Sequence, residues 1–455
     1  MPMDRLKALF QDKNFTGKLT AIAVPIAVQN LINTGINALD TIMLGRIGEV
    51  QLSASSVSNQ LSFMFMVLSM GVSAGCGVLT AQYWGAGDVK RVREIMSFMY
   101  RVVAVLTLIF SAIAIIFPQV VLGIITTDAE VIAEGIIYLR IMGIGYIFSG
   151  VTNASIGILR TTGTVKISVV VYASSLVINF IFNSILIFGL FGFPALGIAG
   201  AAIATVIARF CEVIIMAIYL FKFENKVRFR PSDLFYTAEG VAGQLVTHAS
   251  PVLFNEMLWT AANFLIGVII GRMGREFVAA NSISGLMIQF AGIAVFGISN
   301  AAGAIVGNTI GSGDYKKARE YANGLIAVSV VVGIAACVAI NIVRLPIIDF
   351  YKISETARGY ARQLTAVVSV LVIFQSIALV SMMGTLRGGG DTRFVMFMDV
   401  VFAWAIAIPL GALAGLVLHW PVWIVYAILK SEDFFKTIIV LWRVPGGKWL
   451  RDVTR

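Results

Sequence analysis

Twelve predominantly apolar runs follow one another along the chain, at roughly 16–42, 52–81, 95–118, 131–158, 166–190, 196–221, 240–270, 278–308, 320–343, 360–385, 394–417 and 420–442. About 20 such residues suffice to cross a bilayer as a helix. Backbone polar groups in lipid must be satisfied within the segment, so every run is expected to be helical. The pattern predicts an all-α integral membrane protein with twelve transmembrane helices. The longest polar run between apolar segments, Lys222 to Thr237 around Arg228-Phe-Arg-Pro231, separates two six-helix lobes. The expected organisation is an N-terminal lobe at 1–222, an inter-lobe linker at 223–239, a second lobe at 240–443 and a tail at 444–455.

The two lobes are copies of one unit. Residues 25–94 align with 251–320 at a constant offset of 226 without a gap, keeping 19 identities. Pro25 pairs with Pro251, Gly45-Arg46 with Gly271-Arg272, and Gly85, Gly87, Asp88, Lys90, Arg93 and Glu94 with Gly311, Gly313, Asp314, Lys316, Arg319 and Glu320. The offset spans six predicted helices, an even number, so the second copy starts on the same side as the first. The halves are therefore expected to be parallel repeats about an axis along the membrane normal, with function at their seam.

Composition agrees with this reading. The chain is 58% apolar and 13% charged, with a mean hydropathy of +0.90, whereas soluble domains carry about 25% charged residues. With the N-terminus cytoplasmic, inner segments hold 22 of the 34 Lys and Arg, among them Arg5, Lys7, Arg160, Lys166, Arg387, Arg393 and Arg455. The positive-inside rule then puts both termini in the cytoplasm of a multi-pass protein of the plasma or inner membrane. The net charge of +10 is topological, and its spread over separate loops argues against nucleic-acid binding. Residues 1–18 are polar and the first apolar run is too long for a signal-peptide core, so no cleavable leader is expected. Cys76, Cys211 and Cys337 lie in apolar runs without short spacing and read as packing residues.

No phosphate-binding loop and no H-E-x-x-H occurs, and His248 and His419 are the two histidines. Gly388-Gly-Gly390 before Asp391 lacks the lysine of a phosphate cradle. An enzyme, an organic cofactor, a structural metal and ATP-driven transport are all unexpected.

The informative residues are polar ones inside apolar runs. Asn30, Asn33, Asn37 and Asp40 recur at spacings of three, four and three, on one face of the first helix. An Asp near a helix centre costs about 2.5–3.5 kcal/mol on insertion scales, which suits ion or proton traffic; the alternative is a hydrogen bond to a neighbouring helix. Pro25 lies about 22 Å upstream at 1.5 Å per residue and removes a backbone hydrogen bond there, a plausible hinge. In the second copy Pro251, Thr260 and Asn263 match Pro25, Thr34 and Asn37, but the acid is Glu256, at the position of Asn30. The two carboxylates then lie about 15 Å apart along the axis. Asn179 and Asn183 share a face of the fifth helix, as ligands or as packing amides. Asp399, near the inner end of its helix, is expected to be solvated, and Arg209 is expected to pair with Glu212.

The chain resembles the multidrug and toxic compound extrusion (MATE) transporters over nearly its whole length. The resemblance rests on Pro25 with Ala38-Leu-Asp40-Thr-Ile-Met-Leu-Gly45-Arg46, on Gln82-Tyr-Trp-Gly85-Ala-Gly87, on Leu159-Arg160-Thr-Thr-Gly163, on Gly197-Ile-Ala-Gly200-Ala-Ala-Ile-Ala-Thr205 and on Leu386-Arg387-Gly-Gly-Gly390-Asp391-Thr392. It implies a secondary antiporter of two six-helix bundles around a central cavity, with Asp40 as a cation-coupling residue and bends at Pro25 and Pro251. The family's fifth-helix Asn matches Asn179, but the Asp four residues later is here Asn183. In the family's other branch the coupling acids have Glu256 and Asp391 as their nearest matches. The resemblance further implies a monomer in the lipid bilayer that exports cationic amphiphilic small molecules against H⁺ or Na⁺, with Na⁺ possible at Asp40. Its cavity would be lined by Asn30, Asn33, Asn37, Thr205, Trp259, Thr260 and Asn263, with Phe63, Met66 and Met287 as apolar wall. The alternative is a flippase for a lipid-linked saccharide, which would need buried Arg or Lys facing its anionic headgroup. A major-facilitator transporter fits less well, since Gly85-Ala-Gly-Asp-Val-Lys-Arg lacks that family's inner-loop pattern.

Overall fold

The structure, a computed structural model, describes residues 11–236, 241–351 and 353–454. Arg5, Lys7, Arg455 and residues 237–239 of the expected linker lie outside the described residues. Eleven long helices carry the first eleven apolar runs: α1 (Lys13–Gly45), α2 (Glu49–Gly85), α3 (Val89–Ile116), α4 (Ala129–Thr161), α5 (Lys166–Phe188), α6 (Gly197–Phe223), α7 (Val241–Arg272), α8 (Arg275–Gly311), α9 (Tyr315–Phe350), α10 (Glu355–Leu386) and α11 (Thr392–Val417). No strand occurs among the described residues. The twelfth run is built as two helices, α12 (Val422–Leu429) and α13 (Glu432–Gly446). Lys430, Ser431, Glu432 and Asp433 interrupt the apolar run where the chain breaks.

Local chemistry sets several ends. The Asp128 carboxylate accepts from the backbone N–H of Glu130 and Val131 at the start of α4, and Ser354 caps α10 through Ala357. Gly189, at φ 72°, closes α5 in the left-handed conformation. Wide π-helical turns occupy Val380–Leu386 at the end of α10 and Val401–Ala407 and Leu413–Val417 in α11. Such turns displace side chains from the regular register and often accompany functional sites. The repeat shows in the packing, since α3 lies on α4 as α9 lies on α10.

The chain packs as two units. One comprises the described residues up to Ala27, then Gly77–Asp88 and the residues from Val246 onward; the other comprises Val28–Cys76 and Val89–Leu245. Three helices change unit along their length. For α1 the change falls between Ala27 and Val28, just after Pro25, and for α7 between Leu245 and Val246, shortly before Pro251.

Within the first unit, the ends of α2 and α8 cross at almost no separation. A Cβ on Gly85 would overlap the carbonyl of Asn308, and one on Gly311 would overlap the carbonyl of Gln82. Gly85 and Gly311 are repeat mates, and so are Gln82 and Asn308, so the contact is reciprocal about the duplication axis. Between them Gly307 meets its own mate, Ala81, where a second Cβ would stand 2.6 Å from the first. Small residues let membrane helices approach until backbone touches backbone, which is where dispersion and weak hydrogen bonds act between helices.

The C-terminal segment is sewn to this crossing. Gln82 Nε2 donates to the carbonyls of Gly388 and Arg451, at 3.2 and 3.0 Å, and its Oε1 accepts from Val453 N at 2.8 Å. Arg451 N donates to the Gly389 carbonyl at 2.9 Å. The Trp449 ring is fully buried over Gly389, where any side chain would collide with it, and its Nε1 donates to the Val444 carbonyl at 2.8 Å.

Two outcomes follow for the detergent-solubilised protein. Gly85→Ala or Gly311→Ala should lower the thermal midpoint by forcing α2 from α8, whereas Gly285→Ala in open space on α8 should leave it unchanged or raise it slightly. Trp449→Ala should cost about 3–5 kcal/mol, as removal of a buried aromatic does, read as a drop in the same midpoint; an unchanged midpoint would mean the tail is not part of the folded unit.

Candidate functional site

In the first half the polar face of α1 meets α5 and α6. The α5 residues Ser168, Tyr172, Ser175, Asn179 and Asn183 are all buried and follow at spacings of four, three, four and four, a single stripe. Asp40, half-buried on α1, accepts at Oδ1 from Asn183 Nδ2 at 2.5 Å. The same Nδ2 donates to Asn179 Oδ1 at 2.9 Å, and Asn179 Nδ2 donates to Thr205 Oγ1 on α6 at 3.3 Å. The Thr205 hydroxyl donates to the Ala201 carbonyl at 3.0 Å. Asn183 Oδ1 is buried with no hydrogen bond. One carboxylate and one unused amide oxygen thus stand together, with the amides of Asn183 and Asn179 beside them. An arriving proton or cation would find acceptors here.

Among the expected ligands, Asp40, Asn179, Asn183 and Thr205 are therefore brought together. Asn33 lies beside the Tyr172 ring hydroxyl, which donates to Asn153 Oδ1 at 3.0 Å. Asn30 is half-buried and Asn37 exposed. Arg209 is near enough to act on the charge of Asp40, but its guanidinium pairs with Glu212 at 2.8 Å, as the spacing predicts. Asp40 keeps a neutral amide as its direct partner.

The second half is arranged differently. Glu256 pairs with Arg387 on the segment after α10, Oε1 to Nη1 at 2.8 Å, and both are largely buried. Thr260 and Asn263 do not join it through their side chains. The Thr260 hydroxyl donates to the Glu256 carbonyl at 2.8 Å and Asn263 Nδ2 to the Trp259 carbonyl at 2.9 Å, both within their own helix. Asp391, fully buried beside the triple-glycine turn, accepts from Arg443 Nη2 at 2.7 Å and forms an ion pair with Arg451 at 3.0 Å. Glu256 and Asp391 are held by different arginines. Met287 is 3% exposed and belongs to the packed core of this half, while Phe63 and Met66 are exposed.

The expectation that Asp399 is solvated is corrected. Asp399 is buried on α11, accepting from Asn255 Nδ2 at 2.6 Å and pairing with Lys436 of α13 at 2.8 Å. Burial of an unpaired carboxylate would be expensive, and the lysine that offsets it sits in the next apolar run. An isolated acid in one run and a lysine one turn beyond Glu432 and Asp433 in the next were the signal available in the sequence. Arg387 was readable only as a loop charge, because its partner lies 131 residues away.

Both halves of the chain match the MatE family, at residues 25–185 and 251–413, two stretches that start at the paired prolines. An uncharacterized transporter of Bacillus subtilis, YisQ, is 23% identical over 443 residues, covering 97% of this chain and 96% of its own. The probable multidrug resistance protein NorM of Agrobacterium fabrum is 26% identical, with 86% of each chain covered. The multidrug resistance protein PmpM of Pseudomonas aeruginosa is 25% identical, covering 88% of this chain and 84% of its own. Among solved structures, an outward-facing multidrug resistance MATE family transporter of the MOP superfamily superposes with a TM-score of 0.85 at 15% identity, over 95% of this chain and 96% of that one. Fold, duplication and family match agree: this all-α, multi-pass membrane protein belongs to the MatE family of multidrug and toxic compound extrusion transporters.

Proposed function

We propose that this chain is a secondary active exporter of cationic amphiphilic small molecules, working by alternating access and coupled to H⁺ ahead of Na⁺. The observation that carries the reading is Asp40, a carboxylate inside a membrane helix whose direct partner is the neutral Asn183. Its charge is free to be met by a cargo cation or by a proton, but not by both, which is the competition an antiporter needs. The relatives named for multidrug resistance support the export of drugs. Each 100 mV of membrane potential supplies about 2.3 kcal/mol per charge moved inward, enough to drive the exchange.

Coupling to H⁺ is favoured because a proton needs one carboxylate, whereas Na⁺ must have its hydration replaced by several oxygens and benefits from a second negative charge. Asn183 stands where that charge would be. In this scheme the repeat lobes rearrange with both termini cytoplasmic and the chain acting as a monomer in the plasma or inner membrane. Bends at Pro25 and Pro251 fit the change of packing unit that α1 and α7 undergo close by. The flippase reading has less support, since the buried Arg387 and Lys436 and the half-buried Arg209 each face a carboxylate within 3 Å. An anionic headgroup would have to displace that partner.

The deciding experiment is efflux of a fluorescent organic cation from proteoliposomes under an imposed pH gradient or an imposed Na⁺ gradient. Wild type should respond to the pH gradient, and Asp40→Asn should fall to the level of protein-free vesicles while remaining folded; robust flux in the folded mutant would remove Asp40 from the mechanism. Asn183→Asp should bring in Na⁺-driven flux, since a second carboxylate contributing only about 1.4 kcal/mol makes the site tenfold tighter. Flux in wild type that follows Na⁺ and ignores pH would overturn the H⁺ assignment.

A further inference from the structure

The segment that follows α6 is folded, and its charges are sorted. Glu224 is buried and turns its carboxylate onto the backbone: Oε1 accepts from the N–H of Lys226 at 2.8 Å and of Val227 at 3.0 Å, and Oε2 from that of Arg228 at 2.7 Å. Asp233 is likewise buried, its Oδ2 accepting from Arg230 N at 2.8 Å. Both acids are thus turned inward. Lys222, Lys226, Arg228 and Arg230 are all exposed, and none of them forms an ion pair among the described residues. Lys226 Nζ donates to the Thr162 carbonyl at 3.1 Å and Arg228 Nε to that of Asn225 at 3.2 Å, both neutral partners. Arg228 has φ 53°, which is uncommon for a residue other than glycine. The turn held by Glu224 therefore keeps a base at a position where glycine would be free of strain.

Contacts with α3 fix the level of this segment relative to the apolar layer. Arg93, Ser97 and Arg101 follow at spacings of four on one face of α3. Arg93 Nε donates to the Val227 carbonyl at 2.7 Å, Ser97 Oγ to that of Leu234 at 2.9 Å, and the Arg101 guanidinium to that of Tyr236. Phe229 is buried beside Tyr100, with ring centres 5.7 Å apart. The apolar run of α3 begins near residue 95, so Ser97 and Arg101 stand about 3 and 9 Å into it at 1.5 Å per residue. The segment therefore lies along the edge of the apolar layer. Aromatic side chains are exposed at both of its ends: Phe221 and Phe223 close α6, and Phe235, which is 85% exposed, adjoins Tyr236. Such rings gather at the level of lipid headgroups.

We propose that the segment from Phe221 to Tyr236 is a binding surface for anionic phospholipids. The phosphodiester headgroup is taken by Lys222, Lys226, Arg228 and Arg230, and the flanking aromatic rings lie among the upper acyl chains. A zwitterionic lipid carries its own cation beside the phosphate. Four outward bases with both neighbouring acids turned inward favour a headgroup of net negative charge, as basic segments beside membrane helices do. The attraction is exposed to water and is therefore screened by salt. Because Glu224, Asp233 and α3 already hold the backbone, little ordering has to accompany binding. The surface depends on α3 and α6 crossing a bilayer and not on the exporter reading above.

The test places an indole at the surface, as Phe235→Trp in the full-length protein, reconstituted in phosphatidylcholine vesicles. A small fraction of the lipid is brominated on its acyl chains, which quenches an indole on contact. The emission gained over wild type should be quenched at least about twofold more by brominated phosphatidylglycerol than by the same fraction of brominated phosphatidylcholine, since each basic residue near the surface adds to the attraction. Arg228→Gln together with Arg230→Gln should abolish that preference, and high salt should weaken it. If that double substitution does not fold, Lys222→Gln with Lys226→Gln carries the same test. Equal quenching by the two lipids would mean that Phe235 meets bulk lipid, and quenching by neither would put this face in water; either result overturns the proposal, as would a preference that survives loss of the bases. Failure of organic-cation efflux would leave the quenching readable, so the two ideas fail separately.

Discussion

A carboxylate inside a bilayer has to be matched, and the way each one is matched organises this structure. Glu212 has Arg209, Glu256 has Arg387, Asp391 has Arg443 and Arg451, and Asp399 has Lys436, all within 3.0 Å. Breaking such a pair leaves an uncompensated charge in a low-dielectric site, so the pairs of Glu256 and Asp399, which join separate segments, help fix which of them lie side by side. Asp40 is held otherwise. Its direct partner is an amide, which is itself shared with Asn179 and backed by Thr205. A charge whose direct partner is an amide can be neutralised by an incoming cation without stranding a buried lysine or arginine, since the nearby Arg209 keeps Glu212 as its own partner.

The duplication supplies a frame on which the halves have diverged. Backbone contact demands conservation of shape, so Gly85 and Gly311 persist as mates and close on each other's neighbours, Asn308 and Gln82. Side-chain chemistry is under no such demand. Asp40 becomes Ile266, Asn30 becomes Glu256 and Gln29 becomes Asn255 at the same offset, which moves the acid along α7 and gives it an arginine. The C-terminal segment threads Trp449 and Arg451 over the triple-glycine turn and onto Gln82.

What could be read from the sequence divides along a physical line. Eleven helices were legible because an apolar run of sufficient length has one solution in lipid; the twelfth was legible as a run but not as two helices, since its break at Lys430 to Asp433 depends on where those charges find partners. The stripe on α5 and the face on α1 were legible because spacings of three and four report a single helix surface. Their meeting was implied by the family resemblance and not by spacing. Pairs such as Glu256 with Arg387 or Asp399 with Lys436 join helices whose adjacency no periodicity encodes, so Asp399 was read as solvated although it is among the more buried acids. The crossing of α2 and α8 was half visible, as paired glycines whose reason lay in the partner backbone.

The number of uncompensated charges limits what a chain like this can do. Every buried acid left without a cation raises the cost of insertion by about 2.5–3.5 kcal/mol at a helix centre, so few can be kept. Here Glu256, Glu212 and Asp399 each have a cation at hand, and Asp40 has an amide as its direct partner. A monovalent cation or a proton neutralises Asp40 completely, whereas a divalent cation would overcompensate it and meet repulsion from the nearby Arg209. On the exporter reading proposed above, the arrangement selects by charge before it selects by shape, so monovalent cations of many shapes need no finer complementarity at Asp40.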